Sequence, residues 1–196
     1  MRKLFYAAAL LLISQMGFGQ AVNDQAIIPV SVTLNSILRL TVVSGGNIDF
    51  VVNTIGQYTT GINLGGTDAR YQTNFTVSAS QDFNVTIHAE DATFFGQDDA
   101  THTMPLDNVG LDLTGTVGGA GVNWNLPLTT LALPNAATAI VTGIAGAAAG
   151  DAVQNNFIIR WRLGTVEPGM NAATLLAQSL TPDRYITNVF LELVPN

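Results

Sequence analysis

Apolar and polar residues alternate along much of this chain, which is the pattern of β-strands that bury one face. The first alternating stretch begins a few residues after residue 20 and is longer than a usual strand. Its apolar positions are Ile28, Val30, Val32, Leu34, Leu38, Leu40 and Val42. The apolar face is interrupted at Ser36, beside Asn35, so the stretch is predicted to be two strands in one line or one strand with a bend.

The same period of two recurs farther along the chain. It predicts strands over residues 48–52, 75–79, 83–89, 109–113, 138–144, 157–163 and 185–193. Only the short link "QD" separates "NFTVSAS" from "FNVTIHA", which predicts that these two strands form a hairpin of antiparallel neighbours. Residues 53–73 are predicted to be a long loop, and one short helix is predicted near Gly169–Leu180.

Many short strands separated by Gly, Asn and Asp turns indicate an all-β fold, either an antiparallel β-sandwich or a small β-barrel. An outer-membrane barrel is a further alternative, because exported alternating strands also build such barrels. With no internal repeat and no charged linker, a single domain over residues 22–196 is predicted.

The first 21 residues have the features of a signal peptide. Arg2 and Lys3 precede a short apolar run from Leu4 to Ile13, and small residues follow in "SQMGFGQA". The apolar run is too short to span a bilayer, and no later stretch is suitable, so no transmembrane helix is expected. We expect the protein to be exported, to the cell surface or the medium, with the periplasm as a possible stage in transit.

Charge excludes some partners. Without Arg2 and Lys3, five arginines remain against 14 acidic residues, a net charge of −9, and there is no lysine. Such a surface repels nucleic-acid phosphates. Charged residues make up 11% of the chain, which suits either a neutral β-protein surface or a subunit that buries surface against neighbours.

The sequence contains little that supports catalysis. It has no cysteine and no G-x-S-x-G motif, and His88 and His102 are its only imidazoles, so an enzyme is not expected. No cofactor is expected apart from a possible calcium ion in the acidic loop after residue 89. The candidate calcium ligands are Glu90, Asp91, Asp98 and Asp99, although an ordinary solvated loop is the alternative.

Three aromatic residues in predicted loops are candidates for stacking against a sugar. They are Trp124, Tyr58 and Tyr71. This alternative function is that of a carbohydrate-binding or adhesion module, although packing within the domain also explains such residues.

Two stretches resemble a known group of proteins. "SVTLNSILRLTVVSGGNIDF" and "PDRYITNVFLELV" are similar to the opening and closing strands of secreted spore-coat-U and chaperone–usher pilin domains, and Tyr185 stands where a tyrosine corner would be. "MGFGQA" resembles the cleavage region of Bacteroidota signal peptides. The resemblance implies an immunoglobulin-like sandwich that serves as a structural subunit of a surface fibre, coat or matrix.

In such systems one subunit can donate an extended strand to its neighbour, so self-association or association with related surface subunits is expected. The candidate residues for donation are Ile28, Val30, Val32 and Leu34, and Pro29 favours an edge position because it donates no ladder hydrogen bond. The alternative is that the same residues form the first strand of their own domain.

Overall fold

The computed structural model describes residues 28–63, 66–115 and 123–196. The chain divides into two compact units, Met1–Leu34 and Asn35–Asn196. Of the first unit, residues 28–34 are described, and they are exposed and have no regular secondary structure. The predicted signal peptide lies outside the described residues.

The second unit is built on two antiparallel sheets. From edge to edge, the first sheet contains β1 (Leu38–Ser44), β2 (Gln72–Ala79), β10 (Asn156–Leu163), β6 (Val109–Gly115) and β8 (Leu131–Ala132). The second contains β12 (Val189–Pro195), β3 (Phe83–Ala89), β9 (Thr138–Gly143) and β7 (Trp124–Asn125). A small third sheet contains β11 (Tyr185–Ile186), β4 (Thr93–Gly96) and β5 (Thr103–Pro105).

Alternation in the sequence becomes alternation in burial. Every second residue of β2, β3 and β10 is buried, because successive side chains of a strand point to opposite faces. The fully enclosed side chains include Phe75, Phe83, Phe157 and Trp124, and the Trp124 ring meets the Phe157 ring edge-on at 5.0 Å. The predicted all-β sandwich is therefore confirmed.

The predicted hairpin is wrong. β2 pairs with β1 and β10 in the first sheet, whereas β3 pairs with β12 and β9 in the second. The link between them crosses from one sheet to the other, because both strands turn their apolar faces into one shared core. The carboxylate of Asp82 fixes this crossing by accepting hydrogen bonds from the N–H groups of Gly146 and Ala148.

The region from residue 46 to residue 71 also differs from prediction. Residues 48–52 were predicted to be a strand, but they form no ladder with another strand. The predicted loop that follows contains a helix, α1 (Ile55–Thr60), and a 3₁₀ turn (Ala69–Tyr71). Thr54 and Gln57 form a capping box at the start of α1, the local signal that identifies this helix.

The helix predicted near residues 169–180 is absent, and turns take its place. Hydrogen bonds to distant parts of the chain hold this segment. The N–H of Leu176 donates to the carbonyl of Tyr58. The side-chain amides of Gln178 and Asn108 exchange two hydrogen bonds, at 2.8 and 2.7 Å. A second 3₁₀ turn, Leu106–Asn108, presents Asn108 to this segment.

Within the described part of the chain, no helix is both long enough and apolar enough to cross a bilayer.

Candidate functional site: an open groove between two edge strands

The sandwich is open along one side, where β1 and β12 are the edges of their sheets. Inward-facing residues here are less buried than their partners directly opposite on the next strand. Val42 of β1 is 43% exposed although Phe75, opposite it on β2, is fully buried. Val189 of β12 is 37% exposed, whereas Ala89, opposite it on β3, is 1% exposed. The inner faces of both edge strands are therefore only partly covered.

The uncovered space is a groove of about 930 Å³. Leu40 and Val42 line it from β1 and Leu191 lines it from β12, while Trp161 and Leu163 lie deeper, in β10. The side-chain N–H of Trp161 donates to Thr73 at 2.9 Å, so the one polar atom of this ring is satisfied inside the core. The groove is therefore mainly apolar and extends into the sandwich.

The two edges also offer backbone groups. Within the described residues β1 pairs only with β2, and β12 pairs only with β3. Each edge strand has seven residues and leaves one row of N–H and C=O groups unpaired, which is a template for a further strand. The arrangement can accept an extended segment that hydrogen-bonds to an edge and directs alternate side chains into the groove.

The candidate donor residues lie in the first unit, and all four are exposed. Ile28, Val30, Val32 and Leu34 are 79%, 83%, 78% and 90% exposed. A monomeric β-protein normally buries such an alternating apolar face, and contiguous exposed apolar surface is characteristic of interaction sites. Residues 28–37 belong to no strand in the structure.

The three candidate sugar-stacking rings do not form an exposed platform. Trp124 is 1% exposed, and Tyr71 is 6% exposed and stacked on Phe50 at 4.9 Å. Tyr58 is half-buried and lines the groove. The prediction that Trp124 lies in a loop is wrong: it belongs to β7 and fills the core, where its ring contacts the backbone of Gly115 so closely that a side chain there would not fit.

The four candidate calcium ligands take part in other interactions. Glu90 accepts a hydrogen bond from Asn188, Asp91 accepts one from Thr187, and Asp99 accepts two from Thr101. Asp98 contributes its backbone N–H, rather than its carboxylate, to a bond with Asp183. Among the described residues, no three acidic or histidine side chains form a group that could hold a metal ion.

Asp183, which sequence reasoning missed, organises the polar end of the groove. Its carboxylate accepts the backbone N–H groups of Asp98, Asp99 and Arg184, and the Nδ1 of His102 lies 2.9 Å from it. The bond from the Asp98 N–H, with those from His102, Asp99 and Arg184, outweighs the effect of desolvation and lowers the pKa of Asp183 to about 2. This carboxylate is therefore ionised at every physiological pH and fixes the acidic loop to the segment before β11.

Fold and groove together define a class: an antiparallel β-sandwich whose core is open between two edge strands. No protein-family model matches this sequence, and no curated protein matches it. The groove and the exposed N-terminal segment are the features of this chain that bear on its function.

Proposed function

We propose that this protein is an exported, non-enzymatic structural subunit of a surface fibre, coat or matrix, which assembles by strand donation. Residues Ile28–Leu34 of one copy enter the groove between β1 and β12 of the next copy. The observation that carries the proposal is the coexistence, in one chain, of an apolar groove between two edge strands and an exposed segment with matching alternation.

Length supports the match. The segment Ile28–Leu34 has seven residues, as do β1 and β12, so a donated strand would run along the whole of either edge. At about 3.3 Å per residue, it would cover roughly 23 Å. Its four apolar side chains share one face and would point inward together, while Ser31 and Thr33 would remain on the solvent face.

The free energies of side-chain burial and of association indicate which contacts a stable assembly needs. Full burial of an aliphatic side chain contributes about 1.5–3 kcal/mol, so four contribute roughly 6–12 kcal/mol before opposing terms. Association itself costs about 4–15 kcal/mol, so the backbone bonds of the new ladder are needed for a stable assembly. The length of pairing and the apolar face must therefore both be intact.

The experiment compares two double variants of the mature chain. Val30→Asp with Val32→Asp places carboxylates on the inward face and should abolish assembly, because a buried unpaired charge is strongly unfavourable. Ser31→Asp with Thr33→Asp adds the same charge to the opposite face and should leave assembly intact. Assembly is measured as ladders on a mild-detergent gel and by light scattering.

Because the four donor side chains are exposed, both variants should fold, and below the assembly range of concentration they should melt like the parent chain, so a lost ladder would report on docking alone. A strictly monomeric parent chain, or equal ladders from both variants, would contradict strand donation.

A further inference from the structure

A short strap crosses the mouth of the groove. It comprises Asn47–Val52, between β1 and α1, and all of its residues line the groove. Ile48, Phe50 and Val52 pack against the core and are half-buried, whereas Asn47, Asp49 and Val51 are exposed. The strap therefore has the in–out alternation of a strand. It lines the same groove as β1 and β12, each of which pairs on one side only within the described residues.

Both ends of the strap are fixed. At the first end, Gly45 has φ of +69°, and a Cβ there would lie 1.8 Å from the carbonyl oxygen of Gln72. The Gly45 carbonyl accepts a hydrogen bond of 2.6 Å from the hydroxyl of Thr73. The same hydroxyl accepts a hydrogen bond from the side-chain N–H of Trp161. At the other end, the capping box of Thr54 and Gln57 holds the start of α1.

The middle of the strap is held by side chains alone. Within the described residues, positions 46–52 make no backbone–backbone hydrogen bond. Phe50 stacks on Tyr71 with ring centroids 4.9 Å apart and planes 9° apart. The ion pair of Asp49 with Arg184 is 3.8 Å long and more than half exposed on both sides, so it contributes little.

We propose that the strap is a displaceable plug of the groove. This inference rests on the proposed function: Ile48, Phe50 and Val52 shield the apolar walls in the free subunit, and a donated strand displaces them. Movement breaks no backbone ladder, and Gly45 and the residues before α1 are the points about which the strap turns. The plug limits the rate at which a strand enters, so it restrains premature assembly.

The test measures association rates on the full mature chain. Val30→Asp with Val32→Asp inactivates the donor face, so that the N-terminal segment of one copy does not fill the groove of another. The probe is a fluorescent peptide with the sequence of residues 25–36, and stopped-flow anisotropy gives its association rate. In this background, Phe50→Ala weakens the plug and Ile48→Ala weakens it at a second position. Val51→Ala is the control, because Val51 is 53% exposed and, unlike Ile48 and Phe50, is not among the residues packed against the core.

We expect Phe50→Ala to raise the association rate about tenfold, the change that accompanies loss of about 1.4 kcal/mol of barrier, and Ile48→Ala to raise it by a smaller factor. Val51→Ala should bind at the parent rate. If Phe50→Ala shows no thermal unfolding transition and so does not fold, the association rate of Ile48→Ala decides whether the plug slows strand entry.

Equal rates in parent and plug variants, or slower binding by the variants, would overturn the plug while leaving strand donation standing. Absence of peptide binding by all four chains would overturn strand donation and the plug with it.

Discussion

At the scale of single residues, Asp183 joins parts of the chain that are far apart in sequence. It accepts hydrogen bonds from backbone groups 84 and 85 residues earlier, and His102 contacts it from the same loop. Its side chain is completely enclosed, and its pKa is lowered to about 2 because these donors stabilise the carboxylate. This carboxylate joins the acidic loop to the segment before β11, together with the short pairing of β4 with β11 and the hydrogen bond from the N–H of Gln97 to the carbonyl of Arg184.

The lowered pKa of Asp183 predicts a stability change in acid. A carboxylate whose pKa is lower in the folded chain than in the unfolded chain contributes stability above about pH 4. That contribution is lost as the pH falls from 3.8 toward 2. Asp183→Asn should therefore melt at a lower temperature than the parent at pH 6, and the difference should shrink toward pH 2.

Circular dichroism melts between pH 2 and pH 7 measure this effect. Glu192→Gln is the control, because Glu192 is exposed on β12 and should melt like the parent at every pH. A difference between Asp183→Asn and the parent that stays constant with pH would mean that the carboxylate does not act through its charge.

At the scale of elements, a pair of amides helps to hold the segment between β10 and β11 against the sandwich. Asn108 is fully buried, and Gln178 both accepts its Nδ2–H and donates to its Oδ1. Gln178 also donates to the carbonyl of Ala173 at 2.9 Å. Leu175, which lines the groove, packs against Gly164, where a Cβ would lie 2.6 Å from the leucine side chain. The segment is thus folded by contacts with the sandwich and not by helix propensity.

Truncating this amide pair should be costly. Gln178→Ala leaves both polar atoms of the buried Asn108 side chain without their partner, and an unsatisfied buried group costs about 1–3 kcal/mol. We expect the free energy of unfolding to fall by that amount in urea titrations. Gln81→Ala is a matched control, because Gln81 is exposed between β2 and β3. An unchanged midpoint for Gln178→Ala would show that the pair contributes nothing to folding.

At the scale of the whole molecule, the free chain carries apolar surface that a compact β-protein would normally bury. The groove leaves the inner faces of β1 and β12 half covered, and the N-terminal segment exposes four apolar side chains. With no cysteine in the chain, burial and the strand ladders are the source of its stability. Filling the groove from another copy would therefore stabilise the fold as well as join the copies.

This coupling predicts that stability depends on protein concentration. A partner that binds only the folded state stabilises it by about 2.7 kcal/mol when present at 100 times its dissociation constant. The Tm of the mature chain should rise as its concentration is raised across the assembly range. The Val30→Asp, Val32→Asp chain should melt at one temperature throughout, as measured by scanning calorimetry. A Tm independent of concentration in the parent would count against coupling between assembly and folding.

Prediction from the sequence succeeded where one local pattern dominated. The alternation of Phe157, Ile159, Trp161 and Leu163 identified β10 and its buried face, because strand side chains alternate strictly. Arg162, predicted to be on the solvent face of β10, is only 11% exposed because Asp112 and Glu167 pair with it. The hydroxyl of Tyr185, the residue placed at the position of a tyrosine corner, donates to the carbonyl of Thr181 at 2.6 Å. The helix near residues 169–180 and the hairpin of β2 with β3 were wrong, because the partners that decide them are distant in sequence.

What the sequence by itself determined was the all-β class, the faces of the strands and the alternating segment Ile28–Leu34, since each follows from a period of two along the chain. Only the tertiary structure decided which strands became edges, and with them the groove. Residues 48–52 have the same alternation as a strand, yet they form a strap without a ladder. The physical reason is that alternation specifies which side chains are buried, whereas hydrogen-bond partners are chosen by the packing of segments that lie far apart in the chain.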